Sequence, residues 1–267
     1  ATSKRRLIIP SPTFGHNSNS SSQGSVLSVE NLTVSFDGYK VVDDLSFSIA
    51  ENELRVIIGP NGAGKTTVLD LISGRTRPTA GIIKFRGEDL KNKAEHEIVQ
   101  LGLGRKFQTP SIFEDLTVFE NLEISFPRGR DVFGAFFFKR DSEVEDRVNE
   151  VAKVIYLDDL LSHSAAALSH GQKQWLEIGM LLIQDPALMM LDEPVAGMTL
   201  NERKQTAELL NQIIEGRSVV VIEHDMNFVR EIARWVTVMH QGKVLSEGLM
   251  GDVQKDPQVI EVYLGHS

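Results

Sequence analysis

An α/β fold built around a parallel sheet is what the sequence predicts, and three observations predict it. The short, nearly continuous apolar runs in "ELRVIIGP", "ALMMLD" and "RSVVVIEH" have the composition of strands buried on both faces. Segments with helical spacing of apolar residues lie between them, "GKTTVLDLISG" being the clearest. The two kinds of segment alternate along the chain, the pattern of strand–helix–strand units.

The elements follow in order. Residues 1–25 stand apart: "HNSNSSSQGS" is rich in Ser, Asn and Gly, and Lys4, Arg5 and Arg6 precede it with no acid among them. This stretch reads as a disordered Ser-rich tail or a processed targeting remnant, leaving residues 26–267 as the folded unit. From Val26, "VLSVENLTVSF" alternates apolar and polar residues as a half-buried strand does. "LSFSIAENE" reads as a second strand with a turn, and "GIIKFRG" as a strand bracketed by glycines. The middle, about 109–167, reads mostly helical and forms an inserted subdomain. "TVFENLEIS" and "DSEVEDRVNEVAKVIYL" are its helices, and "PRGRDVFGAFFFKR" is a surface loop between them. Beyond Leu168 come a helix, the run "ALMMLD", a helix, "RSVVVIEH", another helix and the strands "WVTVMH" and "GKVLSEG"; "DPQVIEVYLG" is a short closing helix.

Composition narrows the function. The 267 residues are 41% hydrophobic and 24% charged, an ordinary globular balance with ample material for a core. Apolar runs stop at about six residues, against the ~18 a bilayer-spanning helix needs. The formal net charge of -9 argues against nucleic acid as a partner and against anionic lipid surfaces. With no cysteine there are no disulfides and no thiolate metal sites.

Two motifs carry chemistry. "GPNGAGKTT" comprises Gly59, Pro60, Asn61, Gly62, Ala63, Gly64, Lys65, Thr66 and Thr67, and it follows a buried strand and opens a helix. That context is what a phosphate loop requires: glycines turn backbone N–H groups inward, Lys65 reaches the β- and γ-phosphates, and the Thr66 hydroxyl binds Mg²⁺. "LMMLDEP" places Asp192 and Glu193 at the C-terminal end of a strand, where such sheets bind ligands. Asp192 is the candidate Mg²⁺ ligand and Glu193 the candidate base for an attacking water. A third stretch, "LSHGQKQWLEIG", starts a helix: Ser169 can cap it and Gln172 can close a capping box. A helix start is also an anion site, so the same residues could wait for a phosphate.

The phosphate loop, "LSHGQ" and "LDEP", in this order, resemble the ATP-binding-cassette (ABC) ATPase family over about 26–265. The resemblance implies a P-loop NTPase core with a parallel sheet, an antiparallel β subdomain and an inserted α-helical subdomain. It implies ATP and Mg²⁺ as cofactors, and a head-to-tail dimer in which each ATP lies between one subunit's phosphate loop and the other's signature helix. Ser169, Gly171 and Gln172 would then face an ATP bound mainly by the partner. Gln108 matches the glutamine that senses Mg²⁺ and water, and His224 matches the histidine that contacts the γ-phosphate. Phe36 matches the aromatic under the adenine, with Tyr39 as the competing candidate. Two positions depart from the pattern: His170 stands where the signature usually has glycine, and Thr199 stands where many relatives have an aspartate that couples the two sites.

"LSHGQKQWLEIGMLL" and "LDEPVAGMT" are similar to the ATP-binding subunit of urea importers, within the branched-chain amino-acid type of uptake system. The implied function is ATP hydrolysis that powers urea uptake through separate membrane permease subunits. A branched-chain amino-acid importer and a non-transport ABC ATPase are the alternatives. The implied location is the cytoplasmic face of the plasma membrane, as a homodimer or paired with a second ABC ATPase, with no nucleic acid involved. Pro110, Ile112, Phe113 and Phe119 are the apolar candidates for docking on the permease, with the core of the helical subdomain as the alternative and, for Ile112 and Phe119, an equal one.

Overall fold

A computed structural model of the chain describes residues 24–106, 112–127 and 142–264. The tail through residue 23, Gln108, Pro110 and the loop "RDVFGAFFFKR" lie outside the described residues.

The fold has two sheets. The first is antiparallel, in the order β2-β1-β4-β5, from β1 (Ser25–Phe36), β2 (Tyr39–Ala50), β4 (Ala80–Phe85) and the two-residue β5 (Glu88–Asp89). The hairpins close on two-residue turns, Asp37–Gly38 between β1 and β2 and Arg86–Gly87 between β4 and β5. Both residues of each turn have positive φ, the geometry that matches the twist of paired strands. The second sheet runs β10-β9-β3-β8-β7-β6, from β3 (Leu54–Ile58), β6 (Leu103–Lys106), β7 (Leu188–Asp192), β8 (Ser218–Ile222), β9 (Trp235–His240) and β10 (Lys243–Leu249). Five of its strands are mutually parallel; β10 adds antiparallel to the edge through Gln241–Gly242, a turn of the same type.

The central strands are buried on both faces, and their side chains divide between two cores. Val56, Met189, Leu191, Val219 and Val221 belong to one core, and Ile57, Leu188, Met190, Val220 and Ile222 to the other. This period-two division is what makes the runs read as continuous apolar stretches rather than as an alternation. The second core also takes in the antiparallel sheet and α1 (Lys65–Ile72). The first takes in the helices α3 (Val118–Ser125), α4 (Ser142–Val154), α5 (His170–Leu182), α6 (Leu200–Ile213) and α7 (Met226–Ile232).

Helix boundaries follow local chemistry. Thr117, Ser169 and Thr199 each open a capping box, with Glu120, Gln172 and Glu202 as the reciprocal partners. The helix expected to run through Leu157 stops at Val154 instead, because Tyr156 turns left-handed at φ 59. Three short α-helices, α2 (Glu95–Gln100), which periodicity alone did not show, α8 (Met250–Val253) and α9 (Pro257–Leu264), and two single-turn 3-10 helices, Asp158–Leu160 and Ala165–Ala167, complete the described chain. Among the described residues no helix is long and apolar enough to cross a membrane.

Helix α5 is pressed against its neighbours at Gly179, where a β-carbon would lie 2.5 Å from Ile155 Cδ1 and 3.1 Å from Leu122 Cδ2. Both contacting residues are fully buried. Gly179→Leu is therefore expected to destabilise the chain by about 1–3 kcal/mol through overpacking, read as a lower urea midpoint at unchanged slope. An unchanged midpoint would show that α5 is not seated this closely.

Candidate functional site

Three adjacent strands, β3, β8 and β7, end on the same edge of the parallel sheet, and their C-terminal loops supply the candidate site. From β3 the chain passes through Gly59–Gly64 into α1. Gly64 is left-handed at φ 94, and a β-carbon there would sit 2.7 Å from the carbonyl oxygen of Val41, so the turn into the helix requires glycine. No side chain caps α1, which leaves its first-turn N–H groups for an anion. Lys65 folds back over the loop, its Nζ donating to the carbonyls of Gly59 (2.8 Å) and Pro60 (3.0 Å). Burial lowers its pKa, while the carboxylates of Glu193 and Asp192 act in the opposite sense.

Thr66 Oγ1 donates to Asp192 Oδ2 at 3.1 Å, joining the phosphate loop to the end of β7. Asp192 Oδ1 is buried and has no hydrogen-bond partner among the described residues. Burial raises the Asp192 pKa, the Thr66 hydrogen bond opposes that, and Glu193 adds to it; Arg105 and Lys106 on β6 pull weakly downward. An unpartnered carboxylate oxygen beside a threonine hydroxyl suits a hard divalent cation. Among the described residues no three His, Cys, Asp or Glu form a metal cage.

Glu193 has φ 48, a left-handed conformation uncommon for a residue with a side chain. Its N–H donates to the carbonyl of Ile222 at 2.9 Å, tying it to the end of β8. Its Oε1 lies 3.3 Å from His224 Nδ1, and both side chains reach solvent.

Glu223 is a site residue that sequence reasoning missed. It is buried, and its carboxylate accepts the N–H groups of Val195 (3.3 Å), His224 (3.1 Å) and Asp225 (3.4 Å). It therefore staples the loop after Glu193 to the loop of His224. Burial raises its pKa and these hydrogen bonds oppose the rise. The available signal was an acid that ends the apolar run "VVVIE" with no exposed position to occupy.

The signature residues lie on another surface element. Ser169 caps α5 as expected: its Oγ accepts the Gln172 N–H (3.2 Å), and Gln172 Oε1 accepts the Ser169 N–H (2.9 Å). Ser169 Oγ also donates to Glu202 Oε1 at 3.3 Å. Phe36 and Tyr39 are register partners across the first hairpin, 48% and 71% exposed, so neither belongs to the core. Of the docking candidates, Ile112 and Phe119 pack against the helical core, whereas Phe113 is half exposed.

The fold and this edge define a class: an α/β nucleotide-binding domain with a phosphate loop and an acid pair at neighbouring strand ends. The comparisons are more specific. The family profile described as "ABC transporter" matches residues 42–196, and that described as "Branched-chain amino acid ATP-binding cassette transporter" matches residues 243–267. The probable branched-chain amino acid transport ATP-binding protein LivG of Archaeoglobus fulgidus is 34% identical over 250 residues, covering 90% of this chain and 95% of the relative. The high-affinity branched-chain amino acid transport ATP-binding protein BraF of Pseudomonas aeruginosa is 32% identical, covering 91% and 98%. The crystal structure of the ADP conformation of an ATP-binding cassette of an ABC transporter superposes with a TM-score of 0.77 at 31% identity, covering 91% of this chain and 99% of that one. The chain belongs to the ABC transporter family, as an ATP-binding cassette.

The raised Asp192 pKa has a direct consequence. The fold favours the protonated acid, so stability is fullest below the ordinary carboxylate range and falls as pH rises through it toward the raised native value. Asp192→Asn is expected to raise the urea midpoint of the nucleotide-free chain at about pH 8, with a gain that shrinks toward about pH 4. The same variant should lose Mg²⁺-dependent ATP hydrolysis. A lower midpoint at the higher pH would overturn the desolvation account.

Proposed function

We propose that the chain is the ATP-hydrolysing subunit of an ABC importer for branched-chain amino acids, and that two such cassettes close head to tail around ATP. The observation that carries hydrolysis is the Thr66–Asp192 contact, with Asp192 Oδ1 unpartnered beside it and the Glu193–His224 pair on the adjoining strand end. The cargo rests on the names of the relatives and on the match of residues 243–267 to the branched-chain amino-acid cassette profile. Urea, expected from "LSHGQKQWLEIGMLL", has no support in those comparisons, and the branched-chain alternative takes its place.

The residues divide the work as follows. The α1 amides and the Lys65 ammonium receive the phosphates, Lys65 exchanging the Gly59 and Pro60 carbonyls for phosphate oxygens. Phe36 or Tyr39 stacks on the adenine. Thr66 and Asp192 hold Mg²⁺, which when bound neutralises charge on the β- and γ-phosphates. Glu193 accepts the proton of the attacking water, and His224, 3.3 Å away, orients that water and donates to the γ-phosphate. Ser169 and the Gly171 N–H of the partner cover the γ-phosphate from the other side. Loss of that phosphate removes the bridge and lets the pair open, which drives permease subunits at the cytoplasmic face of the membrane.

Glu193→Gln is expected to slow hydrolysis by about 10²- to 10⁴-fold and to elute as a dimer in Mg²⁺–ATP, measured by phosphate release and size-exclusion chromatography. Lys65→Ala should abolish uptake of labelled leucine by cells that carry the whole importer. Urea uptake should be indifferent to the same change; the reverse pattern would return the cargo to urea.

A further inference from the structure

His170 is the position at which the signature departs from glycine, and its ring has a defined partner. It is the first residue of α5, and its Nε2 lies 3.0 Å from the carbonyl oxygen of Ala196, an acceptor, so Nε2–H donates. The ring packs on Gly197: a β-carbon there would meet His170 Cδ2 and Nε2 at 3.2 Å. Ala196 belongs to the loop that begins at Glu193. That loop is two consecutive turns, with the Ala196 N–H on the Glu193 carbonyl (3.2 Å) and the Met198 N–H on the Val195 carbonyl (3.1 Å). The Ala196 peptide is thus fixed relative to Glu193.

A second side chain grips the same two elements from the far end. Glu202 on α6 accepts from Thr199 N–H (2.9 Å) and Oγ1 (2.8 Å) through Oε2, and from Ser169 Oγ through Oε1. Its carboxylate lies directly over Gly171, where a β-carbon would be 2.3 Å from Oε1. The phosphate-facing turn of α5 is therefore held at the middle and at the end of one loop, and the other end of that loop is Glu193.

We propose that His170 is a positioning residue that straps the phosphate-facing turn of α5 to the Glu193 loop of its own subunit. A γ-phosphate held by the partner and seated against Ser169 and Gly171 thereby sets the geometry of Glu193 at the other nucleotide. This inference rests on the reading that two subunits share each ATP.

The test is the ATP dependence of hydrolysis by the full chain, by His170→Ala and by His170→Gln, whose amide places an N–H donor near the position of Nε2. The parent should show sigmoidal dependence. His170→Ala should lose the sigmoidal form and about ten- to a hundredfold in kcat, with KM and fluorescent-ATP binding by the subunit little changed. His170→Gln should restore both form and rate. A hyperbolic parent, a His170→Ala chain with parental kcat and sigmoidicity, or a His170→Gln chain as impaired as the alanine variant each overturns the strap. ATP-driven dimerisation is measured in the Glu193→Gln background with and without His170→Ala. Dimers in both cases, with the kinetic losses above, support the strap. A Glu193→Gln chain that stays monomeric removes the shared-ATP reading and this inference with it.

Discussion

The contact between Thr66 and Asp192 is the one on which the rest of the site depends. The two residues are far apart in the sequence, and only the parallel pairing of β3 with β8 and of β8 with β7 brings them together. The same pairing sets Lys65 within the field of both Asp192 and Glu193. The contact is also costly. Asp192 is buried, one of its oxygens has no partner, and burial works against its ionised form. In the proposed function that cost is the counterpart of a carboxylate placed to meet a cation.

Much of this edge was legible because phosphate chemistry constrains local sequence. Glycines at fixed spacing, a lysine, a threonine and a preceding apolar strand have few other uses together, so "GPNGAGKTT" identified the loop and its place on the sheet. Buried strands were equally plain, since parallel strands covered on both faces cannot alternate with polar residues. What stayed hidden depends on tertiary neighbours. Glu223 looks like any acid after a strand until its three backbone partners are seen. The left-handed turn at Glu193 leaves no mark in the sequence, and the end of α4 is decided by one backbone angle at Tyr156. Similarity of the stretch around Ser169 points to urea, a cargo that no contact within the described residues can specify. Only comparison over the whole chain, and at residues 243–267, bears on it.

The helix start at Ser169 serves two ends with one geometry. Its capping box satisfies the end of α5 within the chain, and the Ser169 hydroxyl that makes the cap also donates to Glu202. Glu202 rests against that helix start and is paired with Thr199, so the carboxylate that closes the capping box of α6 also steadies the start of α5. In the proposed dimer this end of the molecule faces the partner's nucleotide. The same surface that is merely capped in one subunit then becomes half of a catalytic site.

The shared grip on ATP is tested most directly by mixing two inactive chains, Lys65→Ala and Ser169→Glu. Each alone lacks one half of every site. In a mixed head-to-tail pair, one of the two sites combines the intact loop of one chain with the intact helix start of the other. The account predicts that ATP hydrolysis, absent from either preparation, returns on mixing, at about a tenth to a hundredth of the parental rate because the strap to the second, broken site is not engaged. A mixture as inactive as its components, with both chains folded and able to associate, would show that each nucleotide is served by a single subunit.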